Sequence, residues 1–191
     1  MSIILASGSP RRKEILENLG IDFEIVKSNM EEQVRDGEIP SQIVMSLAFE
    51  KAIDVSDKVN EDDIVIAADT IVFKDMVLGK PKNYVDAKKM LSSLSNDIHY
   101  VYTGISVVQK STDKKFVTYE MTKVCIKELS DQRIEKYIAS GEVWDKAGAY
   151  AIQGYGALLI DWIQGDYFNV VGLPVSKLDE ILNNHFNISF L

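Results

Sequence analysis

The stretch DIVIAADTIVF, residues 63–73, decides the fold class. Apart from its first residue and Asp69-Thr70, it is a continuous apolar run, the pattern of a strand buried on both faces rather than one alternating between core and solvent. Working outward, SIILA and DFEIV read as strands flanking a first helix, and SQIVMSLAFEKAIDVSDKV reads as a second helix opened by Ser41 after Pro40. NYVDAKKMLSSLS carries Asn83 as cap, Asp86 three residues on, and an apolar stripe of Ala87, Met90, Leu91 and Leu94, which predicts a third helix. HYVYTGISVVQK and KFVTYEMTKVCIKEL read as long strands joined by the polar turn STDK. A short helix SDQRIEKYIAS ends at Gly141, a glycine-rich segment follows, and SKLDEILNNHF closes the chain as a helix. Helices alternating with hairpins predict an α/β or α+β protein with a mixed, partly antiparallel sheet.

Asp69 is the strongest internal signal, because an unpaired carboxylate in an apolar strand costs several kcal/mol, roughly, and must meet a cation, a metal or hydrogen-bond donors. A purely structural ion pair with a lysine or arginine would also satisfy it. In the second helix, Val44, Leu47 and Ala48 define the inward stripe, and the next residue on it is Lys51. Either its stem snorkels at the edge of the core or its ammonium points toward a bound anion.

LASGSPRRKEILENLG, residues 5–20, poses a second electrostatic question. Ser9 is a suitable N-cap, Pro10 suits the first helical position and Gly20 can close the helix, which puts Arg11 and Arg12 in the first turn. The helix dipole makes cations there unfavourable by roughly 0.3–1 kcal/mol each. Free N–H groups, Gly8, two serine hydroxyls and two arginines together make a plausible phosphate cradle; pairing with surface carboxylates is the plainer alternative.

Other positions carry less on their own. LGKPKNY holds Lys80 between Gly79 and Pro81, WDKAGAYAIQG adds Lys146 and then Gln153 before Gly154, and NMEEQ sets Glu31 and Glu32 in a loop. Turn lysines and loop glutamates are commonly just solvated.

Composition bounds the function. The chain has 191 residues, 46% hydrophobic and 26% charged, with a formal net charge of −8, which suits an ordinary globular protein and argues against generic nucleic-acid binding. Any anionic ligand needs a local positive pocket. No repeat or linker divides residues 1–191, so one domain, with or without two lobes, is expected. No segment has the length of a membrane span, so no membrane partner is expected and a cytoplasmic location follows by default. The single Cys125 lies in the alternating stretch TKVCIKEL and reads as a half-buried strand residue. With His99 and His185 isolated, a zinc site of His/Cys type is not expected. If a metal takes part, oxygen ligands from Glu32 and Asp69 with phosphate oxygens point to Mg²⁺, or Mn²⁺ in its place. The chain has no Gly-x-x-x-x-Gly-Lys-Ser/Thr segment, Gly-x-Ser-x-Gly elbow or His-Glu-x-x-His helix.

Taken in order, LASGSPRRKEILENLG, MEEQ, SLAFEKA, VIAADTIVF, LGKP, VYTGISVV, GEVWDKAGAYAIQG and NVVGLP resemble the motif blocks of the Maf family of nucleoside triphosphate pyrophosphatases, over nearly the whole chain. The resemblance implies cleavage of a nucleoside triphosphate between its α and β phosphates, with a divalent cation. It also implies an elongated, two-lobed α/β fold shared with inosine-triphosphate pyrophosphatases, with a central cleft, and a cytoplasmic homodimer. Arg11, Thr70 and Gln153 match the dTTP/UTP branch and differ from the 7-methyl-GTP branch. Carried over by position, Asp69 would accept the proton of the attacking water and could bind metal with Glu32. Ser7, Ser9, Arg12, Lys51 and Lys80 would hold the triphosphate, while Arg11, Thr70 and Gln153 would read the base. Family members often read Glu-Gly-Ser where this chain has Gln164-Gly165-Asp166, which leaves the role of that turn open. The family name comes from inhibition of septum formation, so a division regulator acting by binding is one competing reading. A phosphatase of other regiochemistry is another.

Overall fold

The run at 63–73 forms one strand in the computed structural model, which describes residues 1–33 and 37–190. That strand, β3 (Ile64–Lys74), buries every residue from Ile64 to Asp69, as a continuous apolar run requires. β1 (Ile3–Leu5) runs parallel to it, with Leu5 opposite Ile66, and parallel to β2 (Glu24–Ile25) on its other side. β4 (Met76–Leu78) turns back antiparallel on β3 through Asp75, whose φ of 57° is the left-handed geometry such a tight reversal needs. β5 (Ile98–Gln109), β6 (Lys114–Ile126) and β7 (Ile160–Gln164) complete a mixed sheet of order β2-β1-β3-β5-β6-β7, with β4 on β3. Six α-helices accompany it among the described residues: α1 (Pro10–Asn18), α2 (Pro40–Ser56), α3 (Tyr84–Leu94), α4 (Asp131–Ala139), α5 (Tyr167–Val171) and α6 (Val175–Ile181). This is the α/β class with a mixed sheet that the sequence implies.

Local rules account for most element ends. Asn83 accepts the Asp86 N–H at 2.9 Å and Ser130 that of Arg133 at 3.3 Å, so both caps act as their residue types dictate. Ser41 does not open α2: Ile39 is the N-cap, Pro40 takes the first helical position, and the Gln42 side chain accepts the Ile39 N–H at 3.2 Å. DFEIV yields only the two exposed residues of β2. β4, α5 and β7 have no counterpart in the sequence reading; β7 exposes Asp161, Trp162 and Gln164 and so shows no clean alternation. The last predicted helix is regular only from Val175 to Ile181 and continues as a wider turn over Leu182–Phe186.

The chain separates into two compact units, with boundaries inside β3, β5 and β6. The first comprises Met1–Asp69, Thr103–Glu120 and Gly172–Leu191. Its core gathers Ile4, Ala6, Ala52, Val55, Val65, Ala67 and Val108. Gly104 is required there, because a Cβ would stand 2.1 Å from the Val44 carbonyl oxygen of α2. The second comprises Thr70–Tyr102 and Met121–Val171, with a core that includes Val72, Leu91, Val101, Val124 and Ile134. His99 is fully buried in it and pairs with Tyr150, His99 Nε2 to Tyr150 Oη, at 2.6 Å. Burial lowers the His99 pKa to about 4, so the ring is neutral at pH 7. Cys125 is half-buried in β6, and burial pushes its thiol pKa up, away from thiolate chemistry.

Candidate active site

The site starts from the two residues that break the apolar pattern in the first unit. β3 carries Asp69 at its boundary with 8% of its surface exposed, and α2 carries Lys51 one turn beyond the buried Leu47 and Ala48. Lys51 does not snorkel to water: its Nζ lies 2.5 Å from Asp69 Oδ1 and 2.7 Å from Glu32 Oε1. One ammonium therefore bridges a buried carboxylate and one that is 59% exposed. Burial raises the Asp69 pKa, while Lys51 and then Arg12 oppose the rise and Glu32 adds to it. The carboxylate thus sits among charges of both signs. An ion pair that served stability alone would be no better than an apolar pair of the same volume, and a second carboxylate on the same ammonium adds repulsion.

Arg12 is anchored from two sides. Its Nε donates to the Gly172 carbonyl at 2.7 Å and its Nη1 to Ser7 Oγ at 3.2 Å. Ser7 is buried and also accepts the Ser9 N–H at 3.2 Å, which ties the strand-to-helix turn to the guanidinium. Ser9 is the N-cap by position, yet its side chain makes no cap bond, and no acidic residue lies in the first turn of α1. The hydroxyl expected to cap the helix is therefore not spent on capping. Burial lowers the Arg12 pKa, with Asp69 opposing, Arg11 reinforcing and Glu32 opposing. The two arginines stand at a helix start that already favours anions. Together the turn and the Lys51 cluster can hold polyanionic oxygens and offer a carboxylate beside them.

The sequence matches the family model described as Maf-like protein over residues 2–185.

The chain belongs to the Maf family.

A relative from Thermoanaerobacter sp. (strain X514), named dTTP/UTP pyrophosphatase, is 54% identical over 192 residues, covering 100% of both chains. One of the same name from Clostridioides difficile (strain 630) is 52% identical over 190 residues, covering 99% of this chain and 97% of that one. Among solved structures, a HAM1 protein from Coxiella burnetii aligns with a TM-score of 0.48 at 16% identity, covering 65% of this chain and 72% of that one.

In this Maf chain, Ser7, Ser9, Arg11, Arg12, Glu32, Lys51 and Asp69 belong to the first unit. Direct contacts join Lys51 with Asp69 and Glu32, and Arg12 with Ser7; Arg11 is half-buried beside Arg12. Thr70, Lys80 and Gln153 belong to the second unit. Thr70 and Gln153 are half-buried there, Lys80 is exposed, and Lys146 pairs with its neighbour Asp145. The Gln164-Gly165-Asp166 turn has a plain structural use: Asp166 accepts the Phe168 N–H at 2.6 Å and caps α5, which a serine could also do. Sequence reasoning missed Gly172, whose contribution to Arg12 is a backbone carbonyl and leaves no side-chain signature.

Proposed function

We propose that the chain hydrolyses dTTP and UTP between the α and β phosphates, releasing the nucleoside monophosphate and pyrophosphate. The observation that carries the reading is the Lys51 ammonium held between Asp69 and Glu32, in the unit that also anchors Arg12 at the start of α1. The names of relatives with about half of their residues identical over the full length support the substrate class.

The residues fit a hard divalent cation. Glu32 and Asp69 converge on the Lys51 ammonium at 2.7 Å and 2.5 Å, and two such carboxylates are the hard oxygen donors that, with phosphate oxygens, commonly hold Mg²⁺. Mn²⁺ suits the same donors. Glu32 and Asp69 would hold the ion, which when bound neutralises phosphate charge and acidifies water.

The chain's own residues then act by positioning and charge, as phosphoryl-type displacement requires. Arg12, Lys51 and Lys80 bind the triphosphate, with the hydroxyls of Ser7 and Ser9 donating to its oxygens. Asp69 accepts the proton of the attacking water on a carboxylate oxygen, and Lys51 keeps that carboxylate oriented. Arg11, Thr70 and Gln153 read the base. A cytoplasmic setting and a homodimeric assembly accompany this reading. No described helix is long and apolar enough to cross a membrane.

A protein that only bound nucleotides to regulate division would not need a buried carboxylate placed to accept a proton, so product formation separates that reading from this one. A panel of nucleoside triphosphates with Mg²⁺ and a pyrophosphate read-out tests the proposal. Turnover of dTTP and UTP well above that of ATP and GTP is expected. Preference for a purine triphosphate would reject the base assignment, and release of orthophosphate would reject the reaction.

A further inference from the structure

Gln153 occupies the N-cap position of a short 3₁₀ turn, Gly154–Leu158, and its side chain makes no cap bond. The first N–H groups of that turn still need acceptors. Glu142 supplies two: Oε1 accepts the Tyr155 N–H at 3.0 Å and Oε2 the Gly156 N–H at 3.2 Å. On the other side of Gln153, Tyr137 Oη accepts the Ala151 N–H at 3.2 Å. The segment is thus clamped just before and just after Gln153. Gly154 marks how closely the carboxylate approaches, since its φ is +64° and a Cβ would stand 2.5 Å from Glu142 Oε1.

We propose that Glu142 is a positioning residue for base selection. By capping the turn from outside, it spares the Gln153 amide that task and fixes the backbone from which the amide projects. A carboxamide carries both a donor and an acceptor and so matches the acceptor oxygen and N3–H of a uracil or thymine edge. A site built to meet such an edge discriminates only while its donor and acceptor are held in place. The inference rests on the reading above, in which Gln153 faces the pyrimidine.

The test compares wild type, Glu142→Ala and Glu142→Gln, the last keeping one acceptor. For each, kcat and KM are measured with dTTP, UTP and CTP, together with the inhibition constant of inorganic tripolyphosphate, which has no base. In Glu142→Ala, KM for dTTP and UTP should rise about tenfold with kcat within about twofold, and preference over CTP, whose edge reverses donor and acceptor, should narrow by the same factor. The tripolyphosphate constant should not move, and Glu142→Gln should fall between. If Glu142→Ala does not fold, Glu142→Gln carries the test with a smaller shift of the same kind. Wild-type KM and preference in the folded variants would overturn the proposal, and so would a tripolyphosphate constant that rises in step with KM. Absence of dTTP turnover in the wild type would overturn the functional reading itself, and the positioning role with it.

Discussion

Asp69 in the first unit and His99 in the second are both ionisable groups buried in sheet strands, and burial pushes both toward their neutral forms. Their surroundings differ. Asp69 meets the Lys51 ammonium at 2.5 Å, shares it with Glu32 and feels Arg12, so its carboxylate sits among charges. His99 meets a neutral phenol, Tyr150, edge-on with ring centroids 5.2 Å apart, and its pKa falls to about 4. The neutral pair is what a core does with a polar side chain it must hold. The charged cluster is costlier, because each ion gives up water, and such a cluster is retained where charge has work to do.

The largest expected break in this comparison is Asp69→Asn. It removes the proposed proton acceptor and should lower kcat by about 10²–10⁴-fold. Lys51 keeps Glu32 as its partner, so the melting temperature should stay close to wild type by calorimetry. Next is Arg12→Ala, which removes the bonds to Gly172 and Ser7 as well as the proposed charged contact to phosphate. A loss of about 1.5–3 kcal/mol of binding is expected, read as a 10- to 100-fold rise in KM for dTTP. Unchanged KM would assign the guanidinium to holding the turn alone.

The smallest effect on activity should come from His99→Gln, which keeps a hydrogen-bonding group beside Tyr150 but cannot titrate. Its kcat and KM should lie within about twofold of wild type, and its signature should be in stability instead. In the wild type the folded state binds fewer protons at His99 than the unfolded state between pH 6.5 and about 4. Stability from this residue is therefore complete above 6.5 and is lost as pH falls through that window, by about 3 kcal/mol in all. Urea unfolding at pH 7 and pH 4.5 should show a shallower loss in His99→Gln than in wild type. Equal slopes would show that His99 carries no such linkage.

How much of this was legible in sequence depends on whether side chains or backbone carry the interaction. Asp69 could be read because a carboxylate interrupts an apolar run, and Lys51 because it continues a buried helical stripe. Their mutual contact is long-range and follows from neither pattern, although each pattern demands a partner. Gly172 could not be read at all, since it offers Arg12 only a carbonyl. Ser9 was legible as a cap by residue type, but its hydroxyl makes no cap bond, because position and hydrogen bonding are separate requirements. Strands β4 and β7 escaped for a related reason: they are short and partly exposed, and pairing with β3 and β6 defines them rather than their own periodicity. Thr70, Lys80 and Gln153 could be noticed locally, at the break in the apolar run, between Gly79 and Pro81 and before Gly154, but their roles came only from the family resemblance.

Under the proposed mechanism this Maf chain splits dTTP at the α–β bond with Asp69 as the proton acceptor. Phosphorus NMR of the reaction, run with wild type and Asp69→Asn side by side in Mg²⁺, tests it most directly. Thymidine monophosphate and pyrophosphate are expected from the wild type and almost no product from the variant. Thymidine diphosphate with orthophosphate from the wild type, or equal turnover by the two proteins, would contradict it.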